Sequence, residues 1–310
     1  MYDKIKIWID GVTMQDSTQN KIASSLDEAK EQTDIKTGEY KIYGCLNGLK
    51  VHIYGGGISV VGSMPKYLNG NNVFSLDRHS IVEAFAKLED DLHLHLDDAK
   101  VTEMEFGNTF IMKKPVTAYL HRFGDISRLK RCQFADSTLY YKGQRKILCF
   151  YDKGAEAQDK RLILPEEIRG ANLLRYELRY NGKLSRQFRC PVNVSTLSNL
   201  DFYMSMIDRY KKHYYSIKKY NKIQTNIMGK IKTVNDGVEV LLSRLINQYG
   251  QEVIGEFIDE LKLNKVYPNR NSYARLNKKL QEISTNANAT VTDELIKELD
   301  KKIDDVGDCV

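Results

Sequence analysis

STLYYKGQRKILCFYDKGAEAQ, residues Ser137–Gln158, reads as a β-hairpin. Ser137–Tyr141 and Lys146–Tyr151 are runs of β-branched, aromatic and apolar residues, and Lys142-Gly143-Gln144 supplies the glycine that a tight connection favours. Side chains alternate along a strand, so Arg145, Ile147, Cys149 and Tyr151 point one way and Lys146, Leu148 and Phe150 the other. Tyr151 then stands at the strand's end. Asp152, Lys153, Gly154 and Glu156 follow it, placing a cation two residues and a carboxylate five residues beyond a phenol. That grouping suits phosphoryl transfer. A tyrosine hydroxyl, with an ordinary pKa near ~10, needs a metal or cation to hold the phosphate and stabilise the leaving charge.

Outward from the hairpin, the strands continue. Val101–Met112, VTEMEFGNTFIM, alternates with Glu103 and Glu105 on one face and Met104, Phe106 and Phe110 on the other. Paired carboxylates on one strand face suit a hard divalent cation such as Mg²⁺ or Mn²⁺; an exposed sheet face carrying ordinary charge has the same pattern. Asn172–Tyr180, NLLRYELRY, places Arg175, Glu177 and Arg179 on one face. A carboxylate between two arginines is a surface ion-pair ladder or a metal and phosphate cradle. Glu39–Tyr43, Leu49–Tyr54 and Ile58–Val61 are short β-prone runs, and Met1–Asp10 resembles a first strand. Gly55-Gly56-Gly57 is read as a hairpin turn, since no Gly-Lys-Ser/Thr follows it.

Helical signals lie between and after these strands. Ile81, Phe85, Leu88 and Leu92 recur at helical spacing behind a capping Asp77, and a short helix is expected over Pro115–His121. Gly62–Phe74, GSMPKYLNGNNVF, reads as a shaped loop whose Lys66 can meet a phosphate. His93-Leu94-His95 has the spacing of a two-histidine metal motif, but it directly follows a helix and precedes Asp97-Asp98, where the histidines face water. From Asn199 onward the chain turns helical. Asp201–Thr233 carries eight Lys/Arg against two Asp/Glu with five interleaved tyrosines, which fits a DNA-facing helix or one that packs its rings inward. Val238–Leu263, Ser272–Ile283 and Asp293–Asp305 read as further helices.

Charge and composition narrow the function classes. The 310 residues allow two domains, with no low-complexity tract, no stretch long enough to span a membrane and no secretory signal. Five scattered cysteines without C-x-x-C spacing argue against a disulfide framework or zinc site and fit a reducing cytoplasm. The formal charge is +6, but His121–Cys190 carries sixteen Lys/Arg against eight Asp/Glu, while Ser75–Phe110 carries three against nine. A basic centre beside an acidic strip suits an enzyme that grips a phosphate backbone and holds a divalent cation; two balancing solvated faces have the same composition.

Four blocks in order, GSMPKYLNGNNVF (Gly62–Phe74), VTEMEFGNTF (Val101–Phe110), FYDKGAE (Phe150–Glu156) and LLRYELR (Leu173–Arg179), carry a resemblance. The chain resembles the replication initiators of the filamentous-phage gene II type, related in reaction to the rolling-circle Rep endonucleases of small plasmids. The resemblance implies an antiparallel-sheet nicking domain over 1–195 of an α+β protein, and the helical spacing beyond a boundary near Pro191–Ser198 adds a helical DNA-binding or accessory domain over 196–310. It implies that Tyr151 attacks a DNA phosphodiester, leaving a 5′-phosphotyrosine link and a 3′-hydroxyl primer, with later rejoining. Lys153 and Glu156 match the family's pair after the tyrosine. Glu105 and Glu177 match its metal-binding carboxylates, with Glu103 where the family carries an arginine, and Mg²⁺ or Mn²⁺ is the implied cofactor. Lys66, Arg145, Arg175 and Arg179 are the expected DNA contacts. The implied partners are the replication origin, single-stranded at the nick, and a host helicase or polymerase, in the cytoplasm of a bacterial cell and away from any membrane. The rival expectation is an origin-binding initiator that cuts nothing; a conjugative relaxase shares the chemistry.

Overall fold

The structure is a computed structural model that describes residues 1–10, 16–33, 35–162, 164–220, 222–223, 231–250, 252–285, 290–291 and 293–307. The strands are β1 (Tyr2–Asp10), β2 (Asp27–Thr33), β3 (Tyr40–Leu46), β4 (Leu49–Tyr54), β5 (Gly57–Ser63), β6 (Lys100–Met112), β7 (Lys130–Phe134), β8 (Thr138–Lys142), β9 (Lys146–Asp152), β10 (Asn172–Asn181), β11 (Lys222–Ile223) and β12 (Thr290–Val291). The helices are α1 (Asp16–Ser24), α2 (Met64–Asn69), α3 (Arg78–Leu92), α4 (Val116–Leu120), α5 (Lys153–Asp159), α6 (Leu184–Phe188), α7 (Val194–Leu197), α8 (Leu200–Tyr215), α9 (Val234–Tyr249), α10 (Glu252–Leu263), α11 (Arg270–Ser284) and α12 (Glu294–Asp304). Ten strands form one sheet in the order β2-β3-β4-β5-β1-β6-β10-β9-β8-β7. Every neighbouring pair in it is antiparallel, so the expected α+β class holds.

The alternation read from β6, β9 and β10 separates the two faces of the sheet's centre. Phe106, Phe150 and Tyr176 lie on the face covered by α8 and are fully buried. The Phe150 and Tyr176 rings stack with centroids 4.2 Å apart, and Tyr176 meets Tyr210 of α8 at the same separation. Each of those two phenols donates to the other residue's carbonyl at 3.1 Å, so the rings are buried without leaving a hydroxyl unpaired. The tyrosines of α8 therefore serve the core: Tyr203, Tyr210 and Tyr214 are buried and only Tyr215 is substantially exposed.

This core does not stop at residue 195. α8 belongs to it, and so do Ile296, Leu299 and Ile303 of α12, while α9, α10 and α11 enclose a smaller cluster around Ile246, Ile254, Ile258 and Tyr273. Val238–Leu263 is two helices and not one, because Gly250 takes φ 87 at the end of α9. Gly62–Phe74 contains the helix α2 where a loop was expected; Pro65 lies in its first turn, where its fixed φ and missing N–H cost nothing. Asp77 caps α3 as expected, accepting from the His79 and Ser80 amides. Among the described residues no helix is long and apolar enough to cross a membrane.

Candidate active site

On the sheet face away from α8, four adjacent strands converge. β1 contributes Asp3, β6 Glu105, β10 Arg175, Glu177 and Arg179, and β9 Tyr151. The register places Arg175 opposite both Thr109 and Tyr151, Glu177 opposite Gly107 and Cys149, and Arg179 opposite Glu105. Gly107 is the position that makes this possible. A Cβ there would run into the Tyr176 carbonyl oxygen and lie 2.8 Å from Glu177 Cγ and 2.9 Å from Glu177 Cα. Without a side chain at 107, Glu177 can lie across β6 toward Asp3.

Glu177 organises the cluster. Its Oε1 accepts from the Tyr151 hydroxyl and from Arg175 Nε, both at 2.9 Å, and its Oε2 accepts from Arg179 Nε at 3.0 Å and Nη2 at 2.8 Å. Arg175 is 0% exposed and all of its nitrogens are engaged: Nη2 reaches Asp3 Oδ2 at 2.6 Å, and Nη1 reaches Thr109 Oγ1 at 3.0 Å and the Val73 carbonyl at 3.3 Å. Ser63 Oγ donates to the other Asp3 oxygen at 2.6 Å. Glu105 is held more loosely, 3.5 Å from Arg179 Nε. Carboxylate oxygens of Asp3, Glu105 and Glu177 all lie within 4.8 Å of one another.

These surroundings set the protonation states. Burial would raise the Glu177 carboxyl, but Arg175, Arg179 and their hydrogen bonds hold it well below the usual carboxylate range. Glu105 goes the other way, raised by burial and then by the neighbouring Glu177 charge. Tyr151 is raised well above an ordinary phenol by burial, and further by Glu177. The Tyr151 ring is 8% exposed, and it forms one wall of a cavity of about 200 Å³ lined also by Ser137, Tyr140, Glu156, Asp159 and Arg179.

α5 starts directly after Tyr151, with Asp152 capping it by accepting from the Ala155 amide at 2.9 Å. Lys153 is thereby turned inward. It is 1% exposed, donates to Glu156 Oε2 at 2.7 Å and to Asn72 Oδ1 at 3.2 Å, and its Nζ lies 5.9 Å from the centroid of the Tyr151 ring. Burial would raise Glu156, but hydrogen bonds from Lys153 and from Lys160 hold it down.

Residues 1–230 match the family of the phage gene II replication-associated protein, N-terminal domain. The chain belongs to that family. No curated protein matches it. The match bears out the resemblance to filamentous-phage gene II initiators and identifies a replication-associated protein of the rolling-circle initiator kind.

Within this family member, Tyr151, Glu105, Glu177, Arg175 and Arg179 come together, with Lys153 and Glu156 one helical turn away. The other expected site residues are placed differently. Arg175 is enclosed and fully bonded within the protein, which leaves it no free donor for DNA. Glu103 stands apart from the cluster, paired with Lys6 of β1 at 3.1 Å. Arg145 sits at the opposite end of β9 from Tyr151, and Lys66 is exposed on α2. His93 ends α3 with φ 55, and both it and His95 are exposed. Asp3 is the residue that sequence reading missed. It shares odd numbering with the buried Ile5, Ile7 and Ile9, so regular alternation assigns it to the apolar face. A register shift between Tyr2 and Ile5 turns it to the other.

Proposed function

We propose that the chain is a metal-dependent nicking and joining enzyme in which Tyr151 attacks a DNA phosphodiester at a replication origin. The observation that carries this is the Tyr151 hydroxyl hydrogen-bonded to Glu177 within a three-carboxylate cluster, at the wall of a cavity. The donor set fits a hard divalent cation such as Mg²⁺ or Mn²⁺, which favours carboxylate oxygen. Glu105 and Asp3 would hold it, since Glu177 already accepts four hydrogen bonds and Glu105 has only a loose partner among the described residues. Bound there, such a cation supplies a Lewis acid for a phosphate oxygen.

The chain's own residues do the rest. Glu177, kept ionised by its two arginines, orients the phenolic O–H. As the Tyr151 oxygen bonds to phosphorus, the bond to the 3′ oxygen breaks, and the phenolic proton passes through the carboxylate cluster to that leaving oxygen. The phosphotyrosine ester retains the bond energy, so a 3′-hydroxyl returning along the same path rejoins the strand. Lys153, 5.9 Å from the Tyr151 ring centroid, and Arg179, bonded to the carboxylate that the phenol meets, steady the developing negative charge. Single-stranded origin DNA, a host helicase or polymerase and a bacterial cytoplasm complete the setting.

A second reading, an origin-binding initiator that cuts nothing, draws support from the near-complete burial of the Tyr151 ring. Covalent capture separates the two. Purified protein with Mn²⁺ and a supercoiled origin plasmid should yield nicked, protein-linked DNA that disappears in Tyr151→Phe and persists in Tyr140→Phe and Tyr141→Phe. Protein-linked product from Tyr151→Phe, or none from the wild type, removes Tyr151 from the nucleophile's role.

A further inference from the structure

Seven cations gather at the end of the sheet opposite Tyr151. Arg145 precedes β9 and Lys146 begins it, Lys183 follows β10, Arg186 and Arg189 lie on and just after α6, and Arg209 and Lys212 are one turn apart on α8. Sheet register brings the first three together: Tyr180 pairs with Lys146, and the Asn181 amide donates to the Arg145 carbonyl at 2.9 Å. Packing brings in the others. Phe188 of α6 lies 5.0 Å from Tyr180 between ring centroids, and the Arg209 guanidinium sits 4.9 Å from the Phe188 centroid. Lys146 Nζ donates to His213 Nε2 at 2.8 Å, which ties the start of β9 to α8.

Among the described residues no carboxylate answers this charge. Among the described residues none of the seven makes an ion pair, although Asp208 adjoins Arg209 in sequence. Lys183, Arg186, Arg189 and Lys212 are exposed. His213 registers the local field: burial first, then Lys146, Arg209 and Lys212, push it down to about 4. Like charges held this close repel one another, and a polyanion relieves that repulsion while releasing its own counterions.

We propose that this surface binds the phosphate backbone of duplex origin DNA, apart from the cleft at Tyr151. The inference rests on the replication-initiator reading but not on the nicking chemistry. β9 separates Lys146 from Tyr151 by five residues, roughly 17 Å at the rise of an extended strand. That is about five base-pair steps at 3.4 Å each, so a duplex flanking the nick is long enough to reach both.

The test is binding of a fluorescent origin duplex, followed by anisotropy over a salt series, for the wild type and for R186Q/R189Q/K212Q. All three side chains are exposed and none touches the carboxylate cluster. The triple variant should lose about tenfold or more in affinity, and its log–log salt slope should fall by about 2 to 3, near 0.9 for each phosphate that is no longer neutralised. The charge-conserving R186K/R189K/K212R should keep both. An unchanged slope and affinity in the glutamine variant overturns the proposal and leaves the patch to an acidic protein. Nicking of a single-stranded oligonucleotide should be the same in the glutamine variant as in the wild type. If the wild type nicks nothing, the enzyme reading fails while the duplex-binding measurement still decides this one.

Discussion

Replacing Arg175 with methionine removes the one cation that bridges Asp3 and Glu177 in a fully enclosed position. Methionine fills much of the same volume, so the loss is electrostatic: two carboxylates, the Thr109 hydroxyl and the Val73 carbonyl each lose one donor. Removing one partner of a buried ion pair costs ~3–5 kcal/mol, and with two carboxylates losing a charged partner at once the upper end applies. Against a whole-protein stability of ~5–15 kcal/mol that is severe. With a urea m-value of ~2–3 kcal/mol/M, the unfolding midpoint should fall by about 2 M. The pH dependence should also weaken. In the wild type Glu177 has a depressed folded pKa, so its contribution is fully present above its unfolded pKa of 4.5 and is lost as pH falls below it. In Arg175→Met Glu177 loses one of the two guanidinium groups that hold its carboxyl down, so that contribution should shrink and the loss of stability on acidification should become shallower. Adding Asp3→Asn, which removes one stranded charge, should recover part of the loss. A midpoint within about 0.5 M of wild type, with no change in pH trend, would refute the account of Arg175 as the keystone of the cluster.

Three other outcomes follow from the same geometry. Gly107→Ala drives a methyl group into Glu177 and the β10 backbone, so it should cost ~1–3 kcal/mol in denaturant melts and reduce plasmid nicking more than duplex binding. Glu105→Gln should abolish Mn²⁺ binding in calorimetric titration without lowering the urea midpoint, since the carboxylate it replaces is buried and weakly paired; in the wild type, Mn²⁺ affinity should weaken as pH falls from 8 to 6, because the raised Glu105 carboxyl takes up a proton that competes with the cation. His213, pushed down to about 4, favours folding most above its unfolded pKa of 6.5, and this contribution is lost as pH falls through that interval. His213→Gln should therefore flatten the loss of stability between pH 6.5 and 4, and an unaltered acid limb would show that His213 is not held neutral.

The strands that carry the site were legible because alternation survives in them. Met104 and Phe106 against Glu103 and Glu105, or Tyr176 and Leu178 against Glu177 and Arg179, state their two faces in plain order, and the sheet obeys. Where one residue breaks the count, the reading fails, as at Asp3. The sequence also could not decide what covers the apolar face. The tyrosines of α8 suit DNA stacking as well as packing until Phe106, Phe150 and Tyr176 are seen to need a lid, and then packing wins. Arg175 was misjudged for a related reason: arginine is almost always exposed unless paired, and its two carboxylate partners lie 2 and 172 residues away, one of them on the strand whose register shift was not foreseen.

Glu177 joins the charge state of the cluster to the freedom of the Tyr151 hydroxyl. Of the four hydrogen bonds it accepts, three come from guanidinium groups and one from a neutral phenol. Charge-assisted bonds are roughly twice as strong as neutral ones. Were a cation held by Glu105 and Asp3 to draw on the Glu177 charge, the Tyr151 hydroxyl would be the donor to loosen first, and its ring stands at a cavity wall. The same carboxylate that raises the Tyr151 pKa at rest would then stop doing so, because its charge would be shared elsewhere. On the proposed reading, burial of the phenol against Glu177 would be a resting state, and the raised Glu105 carboxyl beside the depressed Glu177 makes Glu105 the carboxylate that a cation would have to deprotonate.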